Sequence, residues 1–351
     1  MKTKATQKNA APIRVGVIGL GRAGYGMQCQ ELAARPDKYT VVAGCDIVSS
    51  QRKRFAEKFP EARVYAKASD LIADPNVDLV TVATRTPTHV ALAVEALRAG
   101  KLVMCEKPIA VSQKEALKLQ AADRKYPGRL FIRQNRRFEP CFNDVRDIIR
   151  SGILGEVYEI RLCRHQYARR DDWQTILAEG GGQLLNWGPH IVDHALQFLE
   201  SPVATVRSDL RRIAAVGDAE DHVHLTICGK NGRIVDVEIS GGVAISSPIY
   251  WVAGTKGTLI SRDEKTIEMR YLDPSVKPPR RKVKTGLMKT FGSPDTLVWK
   301  TETRQVRTDI DCTSIWDNLF DHIRFGKPFW VKNAEAFEVM RVLDLAARSR
   351  L

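Results

Sequence analysis

No two cysteines in this chain stand in a C-x-x-C spacing. The seven present, at positions 29, 45, 105, 141, 163, 228 and 312, are scattered and odd in number. That excludes a disulfide framework and a zinc-finger-like site, and predicts reduced, mostly buried thiols. No apolar run has the length needed to cross a bilayer, so no membrane partner is expected. The opening "MKTKATQKNAAP" lacks the apolar core of a secretory signal. Residues 1–11 therefore read as a disordered leader, and a cytoplasmic location is expected. No H-E-x-x-H occurs. His190 with His194, and His222 with His224, are each a pair with no third ligand at a familiar spacing, so they read as helix-face and sheet-face residues and no metal is expected. Acidic residues are in deficit, 41 against 55 Lys and Arg, for a net charge of +14. The cations are dispersed except in "KPPRRKVK" (277–284), a Pro-rich stretch that reads as a solvated loop. Without a nucleic-acid-binding motif, the surplus suits anionic substrates or cofactors, and no nucleic-acid partner is expected.

What is present is length enough for two domains, with 44% apolar residues. "IRVGVIGLGRAGYGM" carries an apolar strand (Ile13, Val15, Val17, Ile18) straight into Gly19, Gly21 and Gly24. In G-x-G-x-x-G the first glycine permits the tight turn, the second admits a pyrophosphate against the backbone, and the third lets the helix pack on the strand. Exposed N–H groups of Leu20, Arg22 and Ala23 and the helix dipole would hold the phosphates. The pattern is weak alone. Here a second strand, "YTVVAGCD", follows and ends in Asp46, the spacing expected of an acid that binds a ribose diol. This favours NAD over NADP, a preference that Arg52 and Arg54, close downstream, would soften by folding back over the adenosine. Helix and strand patterns then alternate through "RKRFAEKF", "ARVYA", "SDLIADPN" (a helix capped by Ser69 or Asp70), "VDLVTVAT", "THVALAVEALRAG" and "KLVMCE". Such alternation implies an α/β, doubly wound parallel sheet, a Rossmann domain over 1–132. Ligands bind beyond the carboxyl ends of its strands, which singles out Thr84, Thr86, Pro87, His89, Glu106 and Lys107.

From about residue 130 the periodicity changes. "EVYEIRLCRHQY", "DHVHLTIC", "RIVDVEISGG", "IYWVAGTKGTLISR" and "TIEMRYL" read as consecutive strands of a large open sheet, mostly antiparallel or mixed. Two terminal helices, "SIWDNLFDHIRFG" and "NAEAFEVMRVLDLAARS", complete an α+β domain over 133–351. Its loop "YARRDDWQ" mixes carboxylate, amide and aromatic groups of the kind that bind sugars, with Arg170, Asp172 and Trp173 as the strongest candidates and Trp187 as a second aromatic wall. Its other reading is a solvated turn. Asp193 either orients the His190 ring or acts as a first-turn acid on the helix dipole, the second being favoured.

"VGVIGLGRAG", "CDIVSSQRKRFAEKF", "ATRTPTHVALAVEALRAGKLVMCEKPIA" and "GGGQLLNWGPHIVDHAL" resemble, in order and over most of the chain, the glucose-fructose oxidoreductase/inositol dehydrogenase/rhizopine catabolism (Gfo/Idh/MocA) family. The E-K-P element at Glu106–Pro108 is the most specific part. The resemblance implies an open C-terminal sheet used for a homodimer or homotetramer, and Arg137 or a neighbour close to nicotinamide and substrate. It also implies that Lys107 meets an Asp and a His on the helix after the glycine run. The His is His190. The Asp position holds Asn186, which can hydrogen-bond a hydroxyl but cannot store a proton. The expected activity is NAD-dependent hydride transfer from a secondary alcohol of a sugar, glycoside or polyol. In it His190 takes the proton, Lys107 polarises or relays, and Asn186 positions. Redox-assisted glycoside cleavage needs nearly the same residues. A non-catalytic dinucleotide-binding sensor is the rival of another class, and its expected mark, loss of the Lys or His, is missing.

Overall fold

The computed structural model describes residues 10–277 and 296–348; residues 1–9 and all but the first residue of the basic stretch 277–284 fall outside them. Six strands form the first sheet: β1 (Ile13–Ile18), β2 (Tyr39–Cys45), β3 (Arg63–Tyr65), β4 (Leu79–Val82), β5 (Leu102–Glu106) and β6 (Leu130–Arg133). They are all parallel, in the order β3-β2-β1-β4-β5-β6. Val15, Val17, Leu79, Val80, Val82, Val103 and Met104 are buried, as a sheet covered on both faces requires. The covering helices are α1 (Cys29–Ala33), α2 (Ser49–Lys58), α3 (Ala68–Ala73), α4 (His89–Arg98) and α5 (Gln113–Lys125). The predicted cap of α3 is a correction: its N-cap is Lys67, with no side-chain capping bond, so Ser69 and Asp70 lie inside the first turn.

The strand order reverses between β1 and β4, and the crevice beyond their carboxyl ends is where such sheets take ligands. The glycine loop, Asp46, the Thr84–His89 turn and Lys107 each follow one of these strands, so four chain crossings converge there.

The second sheet has eight strands: β7 (Val157–His165), β8 (Val203–Arg211), β9 (His222–Gly229), β10 (Ile234–Ser240), β11 (Tyr250–Gly254), β12 (Gly257–Ser261), β13 (Thr266–Leu272) and β14 (Trp299–Gln305). Their order is β14-β13-β12-β11-β7-β10-β9-β8, antiparallel except for the central β7–β10 pair. β8 and β14 were not anticipated. They are the two edge strands; β14 is almost wholly exposed and β8 buries one residue, so both lack the alternation that marks a half-buried strand. One face of the sheet is covered by helices α6 (Pro140–Ser151), α7 (Gln183–Asn186) and α8 (Gly188–Leu199) and by α10 (Asn333–Arg348).

Two features bear on the expected domain division. A boundary at 132/133 cuts β6, which runs to Arg133. The terminal helices also do not belong to the second half alone. From α9 (Ser314–Phe325), buried Trp316 packs edge-on against Tyr39 of β2, while α10 lies against α5 as well as α8. An apolar helix face packs wherever buried surface is available, and here the first sheet supplies it. Among the described residues no helix is long and apolar enough to cross a membrane, and none of the seven cysteines forms a disulfide.

Candidate active site

The glycine loop fits a dinucleotide. Gly19 has φ +91°, a conformation that side-chain-bearing residues rarely adopt, and a Cβ on Gly24 would stand 1.8 Å from the Gly19 carbonyl oxygen. Space beside Gly21 is open, so the backbone there is approachable. Asp46 Oδ2 accepts from the Leu20 amide at 2.7 Å, locking the acid at the end of β2 to the loop after β1. Arg52 donates to the Asp46 and Ile47 carbonyls, and Arg54 to the Leu20 carbonyl while lying over the Tyr25 ring. Both arginines therefore do fold back beside Asp46.

Next in the cleft come the turns after β4 and β5. His89, at the start of α4, is buried with Nδ1 2.8 Å from the Pro108 carbonyl oxygen and Nε2 2.9 Å from that of Thr84; burial lowers its pKa, and the neutral ring donates to one of the two. This is a correction to its expected role in cofactor contact: both ring nitrogens face backbone carbonyls, and the ring braces the two turns against each other. Thr86 is buried, and Pro87 opens a single 3-10 turn. Glu106 is also buried. It accepts from Gln28 and from Arg133, each at 2.9 Å, and Arg133 continues to Glu31. The acid of the E-K-P element is thus committed to a buried ion network beneath the lysine.

Lys107 reaches across to the second half of the chain, its Nζ donating to the Asn186 backbone carbonyl at 2.9 Å. Its pKa is pushed down to about 8, chiefly by burial, with Arg136, Arg22 and Arg133 adding to the fall and Glu106 opposing it. His190 sits in the first turn of α8, 7% exposed, with Nδ1 buried and without a hydrogen-bond partner. Burial and the cations Lys107, Arg136 and Arg133 hold it well below the ordinary histidine value, so it is neutral. Lys107 is therefore brought to Asn186 and His190, which lie about eighty residues further along the chain. Asn186 enters in an unexpected way: its backbone oxygen holds the lysine, and its side-chain Oδ1 accepts from Gln174 at 3.2 Å.

Arg137 is another correction. It is buried, forms a two-pronged pair with Asp193 and reaches Glu335 of α10 at 2.9 Å, leaving nothing for substrate. The same pair settles Asp193, which neither orients His190 nor serves the helix dipole; it neutralises a buried guanidinium. The neighbour Arg136 is the one facing the cleft. It lies 4.3 Å from the Trp187 ring centroid, with Arg164 at 5.4 Å, so at least one face of that ring is spent on cations and not on a sugar. In the loop upstream, Arg170 binds Asp172 and, at 2.5 Å, Gln174 Oε1, while Arg85 lies 5.6 Å from the Trp173 ring and pairs with Glu179 at 2.6 Å. The chain Arg170–Gln174–Asn186 ties the loop to the lysine's support. Sequence reasoning quoted Gln174 without selecting it and reached Arg136 only as an unnamed neighbour of Arg137; nothing local separates either from its neighbours.

Residues 13–134 match the profile described as "Oxidoreductase family, NAD-binding Rossmann fold", and residues 142–260 match the GFO/IDH/MocA C-terminal domain. The chain belongs to the Gfo/Idh/MocA oxidoreductase family. An inositol 2-dehydrogenase of Acidothermus cellulolyticus is 29% identical over 316 residues, 87% of this chain and 88% of that protein. The scyllo-inositol 2-dehydrogenase (NADP(+)) of Bacillus subtilis is 25% identical over 251 residues, 71% of this chain and 68% of its own length. Among solved structures, an NAD-binding protein from Listeria innocua superposes with a TM-score of 0.81 at 25% identity, covering 97% of this chain and 98% of its own. Membership makes the chain one of an NAD-binding oxidoreductase family and implies a small-molecule substrate. The relatives' differing names leave the choice of dinucleotide to this chain's own residues.

Proposed function

We propose that this chain is an NAD-dependent dehydrogenase of a secondary hydroxyl on a sugar, glycoside or polyol. The observation that carries the reading is the meeting of Lys107, Asn186 and His190 at the carboxyl ends of the strands. The nicotinamide, when bound, supplies the hydride acceptor. The loop Gly19–Gly24 would hold its phosphates through Gly21, Arg22 and Ala23, since the Leu20 amide, expected to share in this, is spent on Asp46 and the Gly19 amide on the Cys45 carbonyl; Asp46 would hold a ribose diol, repelling a 2′-phosphate.

The substrate proton requires an acceptor whose pKa lies near working pH. His190, expected from sequence to be that acceptor, is shifted below the ordinary histidine value by burial and by neighbouring cations, which weakens it as a base. Lys107 at about 8 is matched to the task. In this reading neutral Lys107 takes the hydroxyl proton, His190 hydrogen-bonds the same oxygen as a neutral imidazole, and the Gln174–Asn186 pair fixes the lysine's support. Arg170, Asp172 and Trp173 line the outer approach for further hydroxyls. The same groups serve oxidation-assisted glycoside cleavage equally well.

The test is a panel of polyols, sugars and glycosides with NAD and NADP, followed by absorbance of the reduced nicotinamide, on wild type, Lys107→Ala and Asp46→Ser. Turnover of a polyol or sugar with NAD preferred, lost on the order of a hundredfold or more in Lys107→Ala, supports the reading. A wild-type preference for NADP refutes the cofactor assignment. Undiminished Lys107→Ala refutes the mechanism.

A further inference from the structure

The central strands of the second sheet carry chemistry on the face away from the cleft. β7 and β10 are parallel neighbours, and their register sets Cys163 beside Glu238 and His165 beside Ser240. Ile160, Leu162, Val237 and Ile239 point into the core, so the alternate residues Cys163, His165 and Glu238 project from the opposite face. There one ligand atom from each of these three side chains lies within 4.8 Å of the others. The His165 side chain is 2% exposed. Its Nε2 is buried without a hydrogen-bond partner, 3.4 Å from Glu238 Oε1.

The geometry points to a divalent-cation site formed by Cys163, His165 and Glu238, of a kind suited to zinc. A thiol, an imidazole and a carboxylate together match zinc, whereas calcium and magnesium take oxygen ligands. Ligand atoms around tetrahedral zinc stand about 3.5 Å apart, so the three groups need to close by roughly 1 Å. Glu238, one-third exposed, has the freedom to supply that movement, and water takes the fourth position. Binding releases the Cys163 thiol proton to solvent. The Ser247 amide donates to His165 Nδ1 at 3.1 Å, which places the ring proton on Nε2. Coordination through Nε2 therefore moves that proton to Nδ1 and turns the Ser247 amide, on an exposed loop, to water.

The site ties β7 to β10. The helix that carries His190 packs against the other face of the same strands, so occupancy bears on the stability of the sheet and not on hydride transfer. Sequence spacing concealed it, because Glu238 comes from a strand more than seventy residues beyond the Cys-x-His pair.

The full chain, stripped with a chelator and dialysed, is titrated with Co(II) as a spectroscopic probe and with Zn(II) as competitor. One equivalent should bind with a thiolate-to-cobalt charge-transfer band that Zn(II) abolishes. Cys163→Ser should lose the band, and His165→Gln should weaken binding by roughly a hundredfold or more. Zn(II) should raise the melting temperature of wild type but of neither variant. Circular dichroism of the metal-free variants verifies folding, and Cys228→Ser, a half-buried thiol on β9, serves as the control that keeps the band. Retention of the band in Cys163→Ser, its loss in Cys228→Ser, or the absence of stoichiometric binding in wild type overturns the site.

Discussion

Replacing Asn186 by Asp places a carboxylate where Gln174 now donates and where the same residue's carbonyl holds Lys107 Nζ at 2.9 Å. At a separation on the order of 6 Å and an effective dielectric of about 20, a new negative charge stabilises the ammonium by about 2.8 kcal/mol, close to two pK units. Solvent in the cleft reduces this, so a rise of one to two units from about 8 is expected. The sign follows from the required form. Oxidation needs neutral Lys107, and activity rises with pH through its pKa; a raised pKa carries that limb upward. At pH 7.5 the neutral fraction falls on the order of tenfold or more. The reverse reaction, which needs the ammonium, keeps its activity to correspondingly higher pH. His190, held below its ordinary value by burial and the surrounding cations, shifts upward too. The assay is kcat/KM against pH in both directions for wild type and Asn186→Asp, with NAD affinity measured separately to verify the nucleotide site. An unmoved limb in a folded, NAD-binding variant refutes Lys107 as the acceptor.

Three further outcomes follow from the same interior. Lys107 is neutral more readily when folded than when unfolded, so its burial costs stability below its folded pKa of about 8, and that cost is relieved as pH rises from there towards 10.5. Lys107→Met should therefore gain about 1–3 kcal/mol in denaturant unfolding at pH 7, a gain that vanishes above pH 10; a loss at pH 7 contradicts it. Arg137→Met leaves Asp193 unpaired in the core and should cost about 3–5 kcal/mol, with KM for substrate nearly unchanged in whatever protein remains folded. A large KM effect without destabilisation would restore Arg137 to the substrate. Gly24→Ala drives a methyl into the Gly19 carbonyl, so calorimetric titration should find NAD binding lost or greatly weakened, and near-normal affinity would show that the loop can yield.

The nucleotide half was legible because its information is local. A glycine fingerprint, an acid about twenty residues on and buried strands alternating with helices are set by steric rules within short windows, and they placed β1, β2, β4 and β5 and the turns after them. The edge strands β8 and β14 were not, since an edge buries too little to impose a period. Lys107 and His190 were visible as residue types in motifs, but their division of labour was not. A side chain's pKa depends on burial and on charges brought from distant positions, here Arg22, Arg133 and Arg136. For the same reason Arg137 was mistaken for its neighbour: adjacent residues share a sequence context and diverge only when one meets Asp193 and Glu335 and the other meets Trp187. The chain's sequence alone determined the nucleotide-binding fold with its glycine loop and strand ends, and it named the side chains proposed to react there. Only the tertiary structure decided which of those side chains are free to do so, because pairing and burial are properties of the packed whole.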